Sequence, residues 1–496
     1  MGSMGNSLCR PQGKPSVDRL TTISRSIQEN TQILTDKLHT QGLNAPSYEP
    51  HGLADFPLKE SDDETLRARQ QILSLTKELR DLVLGPREAL KLMALDVVNY
   101  IPLHAIYTFK IAEAVPRQGS ISYDNLTREV HRVSGFNIPA SELRRLLRLA
   151  MANNLFCEPE LGHVAHNRTS LVMLEDETLA SWVGLYTVDL FLPVGNTVAA
   201  MQKWPGSQDL TETAVNISYG HNNTFFNHVQ TDTTRAKRYD LAMRAHGSRE
   251  GFDVSHTVQS YPWAKLGNAT VVDVRSAAAA AAKAPLLPPP LLLLQRFVEV
   301  MGGNEGYVSM AIAESFPNLR FEVQDLPGMR TEATIGKVPP HLVDRVKLTT
   351  HDFFNDQPTV AGAYLFRHIF HAFPDRDVVR ALRALIPAMR HGSRVILNDV
   401  VLPAPGAVSL TEEKTFRLLD VLMKTVCNGR EREICDWKLL FEEADTRFVW
   451  QGAWKSSGNL WFVEAQWHDK TEVNGDNARP LPSVPAQGKM WTASAK

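Results

Sequence analysis

Val271-Val272-Asp273-Val274, Gly302-Gly303-Asn304-Glu305-Gly306 and Phe321-Glu322-Val323-Gln324-Asp325-Leu326-Pro327 are the three pieces of one interrupted stretch, and their reading decides the fold. The first is an apolar run ending in an acid. The second opens Tyr307 to Ala313, which reads as a helix, and the third is a strand ending in a second acid. Joined directly, they make a strand, a glycine turn, a helix and a strand with an acid about 20 residues past the glycines, the arrangement that binds dinucleotides or adenosine. Glycines let the backbone approach a ligand, and the second acid, Asp325, can hold two ribose hydroxyls. Between the pieces lies Arg275 to Met301, with an alanine run and Pro285-Leu286-Leu287-Pro288-Pro289-Pro290 followed by four leucines. This insert is either a stretch of unremoved intron or a functional loop. Phe297 to Met301 can itself replace the first strand, so the turn is fed by Asp273 or by Glu299.

A chain of 496 residues has room for two or three domains. With 43% hydrophobic and 22% charged residues it has a globular composition, and a net charge of −2 gives no reason to expect nucleic acid as a partner. Cys9, Cys157, Cys427 and Cys435 lack metal-ligand spacing, so no bound metal is expected and a reducing compartment is favoured. No uncharged apolar run reaches transmembrane length and no signal peptide is visible, so the expectation is a cytoplasmic protein with no membrane partner. Met1-Gly2 lacks Ser or Thr at position 6, which argues against myristoylation.

Along the chain, residues 1–60 read as a disordered start, an amphipathic helix over 18–40 and a linker. Ser61-Asp62-Asp63-Glu64 is a capping-box pattern for a helix that stops before Gly85-Pro86, and a further apolar helix covers Ala89 to Val98. Residues 61–170 then follow a winged-helix pattern, with helices near 105–114, 122–133 and 140–152 and a hairpin from Leu155-Phe156-Cys157-Glu158 to His163-Val164-Ala165-His166. Arg144, Arg145 and Arg148 on the third helix read as a solvated face rather than a DNA contact. Residues 171–260 are helical and irregular, with aromatic clusters that wall a pocket or fill a core. From 261 to 468 strands and helices alternate, the signature of an α/β sheet, with strands near 271–274, 320–324, 346–349, 362–366, 394–400, 447–451 and 459–465. Residues 469–496 read as a loose tail.

Ligands of open α/β sheets bind beyond the carboxyl ends of the strands, and three more features fall there. His351-Asp352-Phe353-Phe354 follows one strand; its acid can accept from an adenine amino group or cap a turn, and its aromatic can stack. Arg367-His368-Ile369-Phe370-His371 follows another, and His371 there is a general base or a structural histidine. Asn398-Asp399 ends a third, and Glu431 lies in Asn428-Gly429-Arg430-Glu431-Arg432. Two carboxylates suit a base that needs its tautomer fixed and its protonated form stabilised, or they pair with nearby arginines at the surface.

In this order the motifs resemble the plant-type, metal-independent small-molecule O-methyltransferases, in the branch common in fungal secondary metabolism. The resemblance implies a Rossmann-like S-adenosylmethionine-binding α/β sheet preceded by an α-helical winged-helix dimerisation domain, and hence a homodimer. It implies that Asp273, Gly302, Gly303, Gly306, Asp325, Leu326, Asp352, Phe353 and Arg367 belong to the cofactor site. His371 matches the base, flanked by Asp399 and Glu431, and would take a proton from a hydroxylated small molecule as its oxygen attacks the sulfonium methyl. The chain departs from the pattern in its displaced first glycine and in His371-Ala372-Phe373, where the family has His-Asp-Trp.

Two rivals share the fold. A methyltransferase-like pericyclase would use His166 after the wing, whereas the plain reading of His166 is structural. A non-catalytic regulator predicts loss of His371, which is present.

Overall fold

The computed structural model describes residues 18–58, 63–248, 251–274, 306–326 and 338–469. The insert at 275–301, Gly302, Gly303 and the tail from 470 lie outside the described residues. The chain divides into two compact units, Met1–Phe191 with Pro403–Thr415, and Leu192–Leu402 with Phe416–Lys496.

The first unit is mainly helical. The amphipathic helix Asp18–Thr40 forms as its spacing predicts, buries Ile23, Leu34 and Leu38, and packs against the helix Asp63–Leu95. That second helix is broken at Gly85, whose φ of 72° is open to glycine at little cost, and Pro86 restarts it. The stop signal was therefore real, but the chain resumes a helix at once. Tyr123–Ser134 and Ala140–Ala152 follow within about a residue of their expected spans, but the single helix expected near 105–114 is two, Tyr100–Thr108 and Ile111–Ala114. Ile121–Ser122 (β1), Cys157–Glu160 (β2) and His163–Ala165 (β3) make a small sheet in the order β1-β3-β2. Ile106, Leu126, Val130, Leu143, Leu147 and Val164 form its core. Arg148 grips Glu158 of the hairpin with two bonds of 2.9 Å, while Arg144 and Arg145 are exposed.

One feature departs from expectation. The helical stretch Glu64–Thr108 is long and apolar enough, by length and composition, to cross a membrane, and only 17% of its most apolar window is buried. Its apolar run tolerates Lys91 and Asp96, so a search for an uncharged run passes over it. Val83, Leu90, Met93, Leu95 and Val97 are all more than half exposed there.

The second unit carries a seven-stranded sheet built from Thr270–Val274 (β4), Arg320–Asp325 (β5), Val346–Thr350 (β6), Ala363–Arg367 (β7), Arg394–Asp399 (β8), Phe448–Lys455 (β9) and Trp461–Trp467 (β10). Their order is β6-β5-β4-β7-β8-β10-β9. The first five are parallel, and β10 runs antiparallel between β8 and β9. The central strands β4, β7 and β8 are almost wholly buried and largely apolar, β8 at every position, whereas β6 at the sheet edge is half exposed. Val271, Val308, Ile312, Phe321, Leu365 and Ile396 anchor the core. Strand order reverses between β4 and β7, the topological switch point beside which such sheets bind ligands.

Candidate active site

Register brings the predicted residues to one edge. Asp325 pairs with Thr350 at the ends of β5 and β6, and Arg367 pairs with Asn398 at the ends of β7 and β8. Asp325 is half-buried, and its Oδ1 accepts from the Leu326 N–H at 2.8 Å. Gly306 begins the helix Tyr307–Ser315 with φ 82°, and a Cβ built on it would meet Val323 Cγ2 at 3.3 Å. This close contact suits helix-to-strand packing, the role of the last glycine in such turns.

Four predicted residues turn inward. Asp273 is buried and accepts from Ser309 Oγ at 2.5 Å, which ties β4 to that helix. Asp352 Oδ1 accepts from the Phe354 N–H at 3.0 Å, the turn-capping role that its position allowed. Phe353 packs edge-on against Phe366, Phe370 and Phe373 in an aromatic cluster. Arg367 donates to Thr257 Oγ1, Tyr307 Oη and the Phe252 carbonyl at 3.2, 3.2 and 2.8 Å, so it braces three segments behind the site.

The catalytic candidates meet. His371 sits on a 3-10 turn after β7, and its Nδ1 lies 3.0 Å from Glu431 Oε1. Glu431 is buried, which removes the surface ion-pair reading. The local sequence explains the contact. Gly429 lies so close to the His371 peptide that a Cβ would meet the His371 carbonyl oxygen at 2.3 Å. Arg432, wholly buried, then donates to the carbonyls of Phe370 and Phe373 at 2.7 Å each and to Asp375 at 2.9 Å. Asn428 anchors the other end by donating to the carbonyls of Asp209 and Glu212. The 428–432 segment is thus a clamp that holds the turn of His371 against Glu431.

Electrostatics favours a charged ring. Burial alone would disfavour the imidazolium, but the Glu431 and Asp399 carboxylates and the Glu431 hydrogen bond outweigh it, and the His371 pKa rises to about 9. Asp399 is pushed up to about 6, first by its own burial and then by Glu431, with His371 opposing.

Sequence reading passed over His368. It has a left-handed backbone (φ 53°), and its ring lies among Phe252, His246 and His371 at centroid distances of 5.7, 5.8 and 5.7 Å. The signal was present in the Arg367-His368-Ile369-Phe370-His371 stretch, where two histidines three apart follow one strand end. His166, by contrast, is buried in the first unit with Nδ1 2.8 Å from Ser170 Oγ and Nε2 3.2 Å from the Val115 carbonyl. Both nitrogens are spent on the protein, so the structural reading holds.

A mainly parallel sheet with a carboxylate-held histidine at its carboxyl edge gives the second unit a Rossmann-like architecture. The O-methyltransferase domain family matches residues 288–447. O-methyltransferase pyvH of Aspergillus violaceofuscus is 33% identical over 87% of this chain and 94% of its own length. The grayanic acid biosynthesis cluster O-methyltransferase of Cladonia grayi is 32% identical over 93% of this chain and 91% of its own. In fold, the chain is similar to the crystal structure of OxaC, with a TM-score of 0.65 at 20% identity over 90% of this chain and 98% of that one. The chain belongs to the S-adenosylmethionine-dependent O-methyltransferase family, and it is an enzyme of that class.

Proposed function

We propose that the enzyme methylates a hydroxyl of an aromatic or polyketide-derived secondary metabolite, with His371 as the general base. The 3.0 Å contact between His371 Nδ1 and Glu431 carries this reading. In the unprotonated ring Glu431 accepts the Nδ1 proton, so the lone pair resides on Nε2, where it can remove a proton from an acceptor hydroxyl. Glu431 and Asp399 then stabilise the imidazolium that results. S-adenosylmethionine supplies the electrophilic methyl when bound. Asp325 at the end of β5, half-buried and beside the switch point, suits its ribose hydroxyls. Asp352 and Phe353 are assigned to its adenine only through their turn, because their side chains cap and pack within the protein. Gly302 and Gly303 complete the cofactor site in this proposal. OxaC has been crystallised with S-adenosylhomocysteine and oxaline, which supports a small-molecule acceptor for the fold.

Residues 61–170 are assigned as a winged-helix dimerisation domain, 171–260 as the pocket wall and 261–468 as the catalytic domain. The exposed apolar residues Leu90, Met93 and Leu95 suit burial against a second copy, because a monomer seldom leaves so much apolar surface in water. A homodimer located in the cytoplasm, with neither nucleic acid nor membrane as partner, is the state proposed.

The test is methyl transfer from S-adenosylmethionine to a panel of phenols, read by mass spectrometry. His371→Ala should abolish product while calorimetry shows unchanged cofactor binding; full turnover in that variant removes the base assignment. Light scattering should give a dimer that Met93→Glu splits, and a monomeric wild type would remove the interface.

A further inference from the structure

We propose that His368, His371 and Asp399 form a binding site for a divalent transition metal of the zinc type, and that the ion switches the enzyme off by occupying the base. One ligand atom from each residue lies within 4.8 Å of the other two. A tetrahedral zinc with bonds of about 2.0–2.1 Å separates its donors by roughly 3.3 Å, so donor shifts of up to roughly 1.5 Å close the site.

Three observations point to a ligand. Both ring nitrogens of His368 are sealed from solvent and have no hydrogen-bond partner, so the imidazole has a lone pair with nothing to use it. His368 Nδ1 lies 3.8 Å from Asp399 Oδ1, too far for a hydrogen bond and suitable for two donors on one ion. His371 turns its Nδ1 to Glu431, which frees Nε2 and reproduces the carboxylate–histidine–metal relation of built sites. Two imidazoles and one carboxylate suit zinc or cobalt, whereas magnesium and calcium take oxygen ligands. The fourth position is left to water. Binding itself is independent of methyl transfer; only the inhibition rests on His371 being the base.

The experiment uses the untagged full chain, stripped with a chelator and titrated with cobalt. The expected result is a visible absorption band that saturates at one equivalent and is displaced by zinc. His368→Asn is chosen because asparagine tolerates the left-handed backbone. It should weaken zinc at least ~10-fold, and Glu431→Gln should weaken it by about 10–100-fold through lost orientation. Zinc should inhibit wild-type methyl transfer competitively with the hydroxyl acceptor, reversibly with chelator, and should spare His368→Asn. Absence of a saturable band overturns the proposal, as does equal zinc affinity in wild type and His368→Asn. The cobalt band is read without turnover, so an inactive enzyme with intact binding would sink the proposed base while leaving the metal site standing.

Discussion

His166 is buried and His371 half-buried, and their surroundings drive them in opposite directions. His371 faces the carboxylates of Glu431 and Asp399 and rises to about 9. His166 faces a hydroxyl and a carbonyl, and burial lowers its pKa because its charged form gains no carboxylate strong enough to offset desolvation. One residue type in two electrostatic settings gives a raised pKa at one site and a lowered pKa at the other. Proximity to a strand end or a wing does not decide which; the partner does.

The comparison breaks first at His371. His371→Ala should lower kcat by about 10²–10⁴-fold, the range for a positioned base, in protein that still folds but melts at a lower temperature because Glu431 loses its partner. His166→Ala should leave kcat per folded molecule intact. If the two variants lose similar activity, the division between base and structural histidine fails.

Replacing the partner sharpens it. In the wild type the unprotonated base predominates above about 9, so kcat/KM should rise with pH towards that value. Glu431→Gln removes the charge that favours the imidazolium, so the limb should move to lower pH while the plateau falls. Pre-steady-state rates across pH check the sign, and a limb that stays near 9 would leave Asp399 as the controlling acid.

Asp325→Ala comes next in size. Loss of a charged acceptor for ribose should cost about 1.5–3 kcal/mol, or roughly 10–100-fold in cofactor affinity by calorimetry, with little change in acceptor KM. Unchanged affinity would take Asp325 out of the cofactor site.

The smallest effect belongs to His166 and concerns stability. Its folded-state pKa is depressed, so the unfolded chain takes up its proton first as pH falls through about 6.5, and folding stability falls with it. Denaturant midpoints at pH 7.5 and 5.5 should show a smaller acid loss in His166→Gln than in wild type. Equal losses would mean that His166 does not couple to pH.

Much of this was legible in the sequence. Strand runs such as Val395-Ile396-Leu397 and Tyr364-Leu365-Phe366 are apolar at every position because these central strands are buried on both faces, and that fixed an α/β reading and its strand positions to within a few residues. Helix punctuation was equally local: Ser122 caps a helix by accepting from the Asn125 N–H, and Gly135 ends it with φ 78°. Motif order placed His371, Asp399 and Glu431 at the edge where ligands of this fold bind.

What the sequence could not supply was which side chains face one another. Glu431 lies 60 residues beyond His371, and only the clamp of Gly429 and Arg432 sets them 3.0 Å apart. Asp273 and Phe353 occupied motif positions, yet packing turned one to Ser309 and the other into an aromatic cluster. His368 gained its place beside Asp399 through a left-handed backbone that no periodicity announces. Local propensity and patterning act over a few residues and are written in the chain itself. Partner choice between segments is decided by packing and by the cost of burying charge, which exist only once the chain has folded.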